Sequence, residues 1–176
     1  MADNADESLL VDVEPVHRET VQNRVHQQLR HLLMVGRFQP GQALKIHDLA
    51  DAFGTSAQPV RESIRQLVAE RALEALPNRS ARVPLLDRDR LEDLRRTRLA
   101  LEGLAAELSA ARATPKDIDA LASIVDEEVR ADEELHVESS VTRNLEFHFR
   151  LYRLSGSAVL LPIIEGLWLQ VGPNIR

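Results

Sequence analysis

Apolar residues first fall into rhythm at Val21, Val25, Leu29, Leu32 and Leu33. That spacing of three and four predicts a helix from about residue 16 that stops at Gly36. Phe38-Gln39-Pro40-Gly41 then reads as a turn, in which proline sets φ and glycine permits a positive one. Ile46, Leu49, Ala50 and Phe53 share one face of a second short helix, with Gly54 as its stop. Thr55-Ser56 offers a capping hydroxyl, and Pro59 fits the first turn of a third helix running to about residue 71. Residues 72–76 and 81–83 flank Pro77-Asn78-Arg79-Ser80 and read as a two-stranded hairpin. Past Pro84 the period stays helical. Leu91, Leu94, Leu101, Leu104, Ala105 and Leu108 mark a long helix over about 87–113. Thr114-Pro115 opens another through Ile118, Leu121, Ile124, Val125 and Val129, and a third covers about 140–154 and ends at Gly156. Residues 158–171 are strongly apolar and carry Pro162.

Two short helices around a glycine-containing turn, the second opening on small polar residues, have the layout of a helix-turn-helix, with the hairpin as a wing. The predicted fold is therefore mainly α. An N-terminal winged helix-turn-helix with a small β-hairpin wing (16–83) precedes an all-helical bundle domain (84–176), and the acidic, aperiodic residues 1–15 read as a disordered tail.

Charge sharpens this division. The chain carries a net −6, which at first argues against nucleic acid. Divided, residues 1–15 carry −5, residues 16–83 carry +4 and residues 84–176 carry −5, so the basic charge sits on the winged module. With no cysteine, disulfides, thiolate metal sites and cysteine nucleophiles are excluded together. No apolar run is long enough for a membrane span, and the acidic first residues do not read as a secretory signal, so a cytoplasmic protein without membrane partners is expected. Nothing reads as an enzyme either. No serine is flanked by glycines, and the pairs Glu127-Glu128 and Glu133-Glu134 point in different directions on a helix.

A recognition helix enters the major groove of double-stranded DNA by its N-terminal end, where side chains must be small, polar or basic. Here those are Ser56, Gln58, Arg61 and Arg65, with Val60, Ile64 and Leu67 on the opposite face. Gln58 can pair bidentately with adenine, and Arg61 can take guanine or a phosphate. Arg79 and Arg82 on the wing are placed for backbone or minor groove. Each arginine taken singly also fits a solvated helix face; the surrounding pattern favours contact.

As a unit, LRHLLMVGRFQPGQAL, LADAFGTSAQPVRESIRQLVAERALE and PNRSARV resemble the GntR family of bacterial transcription factors. RTRLALEGLAAELSA and NLEFHFRLYRLSGS look like the helical effector domain of its FadR-type branch, the FCD domain. The resemblance implies a DNA-binding regulator, a repressor in the first instance, that binds operator DNA as a homodimer under control of a small organic acid. It adds His47, at the head of the second helix, to the DNA-contacting set. Two departures stand out. Ala57-Gln58 replaces the usual arginine followed by threonine or serine, and Ser80 replaces the glycine of the wing tip.

In the second domain the resemblance implies an effector site and often a divalent metal, zinc or nickel, held by one aspartate and three histidines. The pair Asp-x-x-Phe-His corresponds here to Asn144-Leu145-Glu146-Phe147-His148. The spacing puts Asn144 and His148 on one face, but asparagine is the weaker ligand and no histidine follows His148. The family domain extends further, so the chain reads as C-terminally truncated. Set against metal ligation, His148 reads as a hydrogen-bonded core histidine beside Phe147, Leu151 and Tyr152. Candidate effector residues are Arg98, Asn144, His148 and Tyr152. Arg98 with Glu102 reads either as a helical ion pair or as an effector-carboxylate clamp. Leu91, Leu94 and Leu101 are candidates for the dimer surface. The competing reading is a protein-interaction module that binds no DNA.

Overall fold

The structure, a computed structural model, describes residues 20–77 and 80–174. The acidic tail, the expected first turn over residues 16–19 and Arg79 of the wing lie outside the described residues.

Helix α1 (Val21–Met34) starts at Thr20, an extended N-cap whose side chain accepts from the Asn23 N–H at 3.2 Å. It buries Val25, Leu29 and Leu33, the face its rhythm marked. Strand β1 (Ala43–Leu44) follows, then α2 (Ile46–Phe53), which Gly54 ends in the left-handed region at φ 61. Helix α3 (Ala57–Ala69) completes the helix-turn-helix and buries Val60, Ser63, Ile64 and Leu67. The Ser63 hydroxyl shares its one proton between the carbonyls of Pro59 (2.8 Å) and Gln22 (3.2 Å), bringing α3 against α1.

Ser56 is the N-cap of α3, but its hydroxyl makes no capping hydrogen bond, contrary to expectation. The residue three places on is Pro59, which has no N–H to give.

The wing is richer than a hairpin. Strands β2 (Glu74–Ala75) and β3 (Ala81–Arg82) pair antiparallel, and β1 adds to the far side of β3 in the order β1-β3-β2. Ala43 pairs with Arg82 and Leu44 with Ala81 on one side; Glu74 pairs with Arg82 on the other. A two-residue strand shows no alternation, so β1 had no sequence signature.

The second half is helical throughout. Helix α4 (Arg88–Ala110) is capped by Asp87, which accepts from the Arg90 N–H at 2.7 Å. Helix α5 (Pro115–Glu133) opens with a reciprocal capping box between Thr114 and Asp117. Helix α6 (Val137–Leu154) starts three residues earlier than its pattern predicted, and α7 (Leu160–Val171) takes Pro162 within its first turn, where no intrahelical N–H is needed. A 3₁₀ turn (Gly172–Asn174) ends the described chain. The expected apolar stripe of α4 divides: Leu94 and Ala105 are buried, whereas Leu104 and Leu108 are exposed. Leu94, at 2% exposure, therefore packs inward and has no surface to offer a second subunit.

One apolar core runs from Val25 and Leu29 of α1 to Trp168 and Leu169 of α7. The halves also meet through polar groups. Arg30 of α1 donates to Glu70, the C-cap of α3, at 2.5 Å and to Glu165 of α7 at 3.1 Å. Gly172 lies against the end of α1, where a Cβ would stand 2.5 Å from the Leu33 carbonyl oxygen. Among the described residues no helix is long and apolar enough to cross a membrane.

Candidate nucleic-acid interface and effector pocket

The helix-turn-helix sets the first group of candidate side chains. Burial of Val60, Ile64 and Leu67 turns the other face of α3 outward, and with it Gln58, Glu62 and Arg65. Along this face runs a relay. Arg61 Nη1 donates to Gln58 Oε1 at 3.3 Å, Gln58 Nε2 donates to Glu62 Oε1 at 2.8 Å, and Arg65 Nη1 lies 3.4 Å from the same oxygen. Arg61 is half-buried, and its Nε has no hydrogen-bond partner among the described residues. Ser56 and His47 are exposed, at the heads of α3 and α2. Arg82 donates from Nε to Glu74 across the wing at 2.8 Å, so part of its guanidinium is already engaged. Glu62 is the residue of this surface that sequence reasoning passed over; its position one turn after Gln58 was the available signal.

The second group gathers around one carboxylate. Glu102 of α4 accepts from Arg98 Nε (2.6 Å), from Trp168 Nε1 of α7 (3.0 Å) and from the Tyr152 hydroxyl of α6 (2.7 Å). The Arg98 guanidinium lies over the Trp168 ring, 4.4 Å from its centroid. Of the two readings of Arg98 and Glu102, the helical ion pair is the one that forms, at 19% and 18% side-chain exposure, and the pair lines a hollow.

His148 Nδ1 stands 3.1 Å from the Tyr152 oxygen. Because the phenol's single proton goes to Glu102, that oxygen accepts, and His148 is the Nδ1–H tautomer. Burial, ahead of the opposing pull of Glu102, holds the His148 pKa below its ordinary value. Burial and the hydrogen bond to Glu102 push the Tyr152 phenol upward. His148 also packs on the Phe147, Tyr152 and Trp168 rings.

Asn144 does not join this cluster. Its amide donates to Glu128 of α5 at 3.0 Å. Two hollows result. Arg98 and Glu102 line one of about 390 Å³, with Leu91, Leu99 and Val171. Asn144, Glu128 and Trp168 line another of about 250 Å³. Trp168, which borders the second hollow, bonds to Glu102, which borders the first. Sequence reasoning missed Trp168 and Glu128, which lie 66 positions from Glu102 and 16 from Asn144.

A divalent metal does not fit these residues. The Asn144 amide is turned to a carboxylate, the His148 Nδ1 to a phenol, and among the described residues no group of three His, Cys, Asp or Glu converges.

Comparison with known proteins places both regions. Residues 21–83 match the model of the bacterial regulatory proteins of the gntR family, and residues 93–176 match the FCD domain. The chain is 32% identical over 153 residues to the HTH-type transcriptional regulator McbR of Escherichia coli (strain K12), covering 87% of this chain and 69% of McbR. It is 31% identical to the Nta operon transcriptional regulator of Aminobacter aminovorans, covering 74% of this chain and 61% of that protein. To the HTH-type transcriptional repressor GlaR of Escherichia coli (strain K12) it is 27% identical, covering 80% and 66%. The solved structure of E. coli McbR/YncC superposes with a TM-score of 0.86 at 30% identity, over 90% of this chain and 74% of that one.

Proposed function

The chain belongs to the GntR family of bacterial regulatory proteins, with an FCD domain, and from that premise we propose that it is a cytoplasmic, homodimeric repressor whose operator affinity is set by a small organic acid held in the helical half. It is a DNA-binding transcriptional regulator, and its relatives are regulators, not enzymes. The proposal divides it at Pro84 into a DNA-binding unit (16–83) and an effector-binding and dimerising unit (84–176). Repression is supported by GlaR, a relative whose name makes it a repressor.

The observation that carries the reading is Arg61. It sits in the second turn of α3, and its Nη1 is held only by a long 3.3 Å contact to the exposed Gln58, so that end of the guanidinium can turn to DNA. In this docking Gln58 and Arg61 read base edges, while Ser56, His47, Arg65, Arg79 and Arg82 hold phosphates or the minor groove. A lone winged helix makes few phosphate contacts, so two half-sites and a dimer are needed. The exposed Leu104 and Leu108 of α4 supply apolar surface for it.

The test is binding to an operator duplex from its own promoter region at several salt concentrations. A log–log slope of several units, lowered by about one in Arg65→Ala, supports the docking. A slope near zero overturns it in favour of a protein-interaction module. Sedimentation that gives only monomer at micromolar concentration overturns the dimer.

A further inference from the structure

The Arg98–Glu102 hollow has an unusual charge pattern for a site that takes an acid. Its cation and its anion are adjacent, 2.6 Å apart, and both are more than four-fifths buried. Counting open valences defines what fits. Arg98 spends only Nε, so the N–H groups of both Nη atoms are unused among the described residues. Glu102 Oε1 already accepts twice, from Arg98 and Trp168, whereas Oε2 accepts only from Tyr152 and keeps one lone pair. The other arginine of the hollow, Arg95, is held by Glu92 through Nε (2.8 Å) and Nη2 (2.9 Å), so it is not the cation on offer.

A bare carboxylate bound to Arg98 would sit beside the Glu102 carboxylate and add a net negative charge to a partly desolvated pair, which is costly. A ligand with a carboxylate next to an ammonium adds none. Its carboxylate takes the two Nη atoms end-on, and its ammonium takes the open lone pair of Glu102. The remaining lining, Leu91, Leu99 and Val171, is aliphatic.

We infer that the effector hollow selects a zwitterion, an α-amino acid with an aliphatic side chain, over a simple organic acid. This rests on the proposed effector site and specifies its ligand. Glu102 is the specificity-determining residue, and Arg98 the carboxylate anchor.

Trp168 is the chain's one tryptophan and stacks on Arg98, so its emission reports the site. The full chain is titrated with L-leucine, with 4-methylpentanoate, which lacks the ammonium, and with 3-methylbutylamine, which lacks the carboxylate. Thermal melting is the second readout. L-leucine is expected to shift the emission saturably, and each analogue to bind at least about tenfold more weakly. Glu102→Gln should bring 4-methylpentanoate to within about threefold of L-leucine, because the repelling charge is gone. Arg98→Gln should weaken L-leucine and strengthen the amine, because the repelling cation beside Glu102 is gone. If 4-methylpentanoate binds the unaltered chain as tightly as L-leucine, the zwitterion inference falls and the organic-acid reading stands. If no compound moves emission or melting at millimolar concentration, both fall. The three ligands on the unaltered chain decide the matter even where a variant fails to fold.

Discussion

The face of α3 and the interior of the α4–α6–α7 cluster are both networks of arginine, glutamate and hydrogen-bonding side chains, yet they are built in opposite ways. On α3 the partners are three and four positions apart on one helix, with Gln58 and Arg65 exposed and Arg61 and Glu62 half-buried. Around Glu102 the partners come from three helices and are largely buried. The first network is local and, in the proposed docking, can be exchanged for contacts with DNA at small cost, since solvent-facing pairs contribute little. The second cannot be opened without leaving buried groups unpaired. On the proposed reading, a surface that must let go of itself to bind is made of weak local bonds, and a pocket that must keep its shape is made of long-range ones.

The sharpest way to break that contrast is Trp168→Ala. The side chain is 4% exposed, packs on His148 and Phe149, and donates to Glu102. Its removal should destabilise the fold by about 3–5 kcal/mol in urea or thermal unfolding. A loss below about 1 kcal/mol would mean that the cluster is not packed as described.

This same contrast governs what the sequence could reveal. The helix-turn-helix is a local pattern. Burial of Val60, Ile64 and Leu67 followed from spacing, and the exposed positions between them followed in turn. Gly54 marked the end of α2 because a left-handed residue was needed there. The Glu102 cluster had no such signature beyond the i, i+4 spacing of Arg98 and Glu102. Spacing could place Asn144 and His148 on one helix face, but not turn the Asn144 amide toward Glu128 on α5. Likewise β1 owes its existence to pairing with β3, and nothing in Ala43-Leu44 announces it.

Arg61→Ala tests the exposed side of the comparison. It should weaken operator binding by about 1–3 kcal/mol and relax specificity at one base position. Melting should change less than in Trp168→Ala, because the lost bond to Gln58 is a long contact of 3.3 Å and only the half-buried stem of Arg61 loses packing. Arg79→Ala should instead weaken binding to all sequences alike. Wild-type affinity in both variants would mean that α3 does not enter the groove.

Acid should separate the buried from the exposed as well. Burial lowers the pKa of His148, and burial with the nearby Arg30 lowers that of His26 against the opposing pull of Glu70. In both, the unfolded chain takes up protons at a higher pH than the folded one, so stability is complete above about pH 6.5 and falls as pH drops through that value toward the lowered folded values. Melting temperature should therefore be flat near neutrality and decline below about pH 6.5, less steeply in His148→Gln. A curve that rises on acidification in this window would contradict the burial of both rings.

The smallest effect belongs to the wing. Arg82 and Glu74 lie opposite each other in the sheet and pair at 2.8 Å with more than two-fifths of each side chain exposed. Such a pair contributes at most a few tenths of a kcal/mol to stability, so Glu74→Gln should leave melting almost unchanged. It does, however, release the Arg82 fork and remove a negative charge from the wing surface proposed to face DNA. Operator binding should tighten slightly, and the salt dependence should steepen, by up to one unit if Arg82 gains a phosphate. If Glu74→Gln weakens DNA binding instead, Glu74 is positioning Arg82 for its contact, and the ion pair belongs with the rigid networks of the interior despite its exposure.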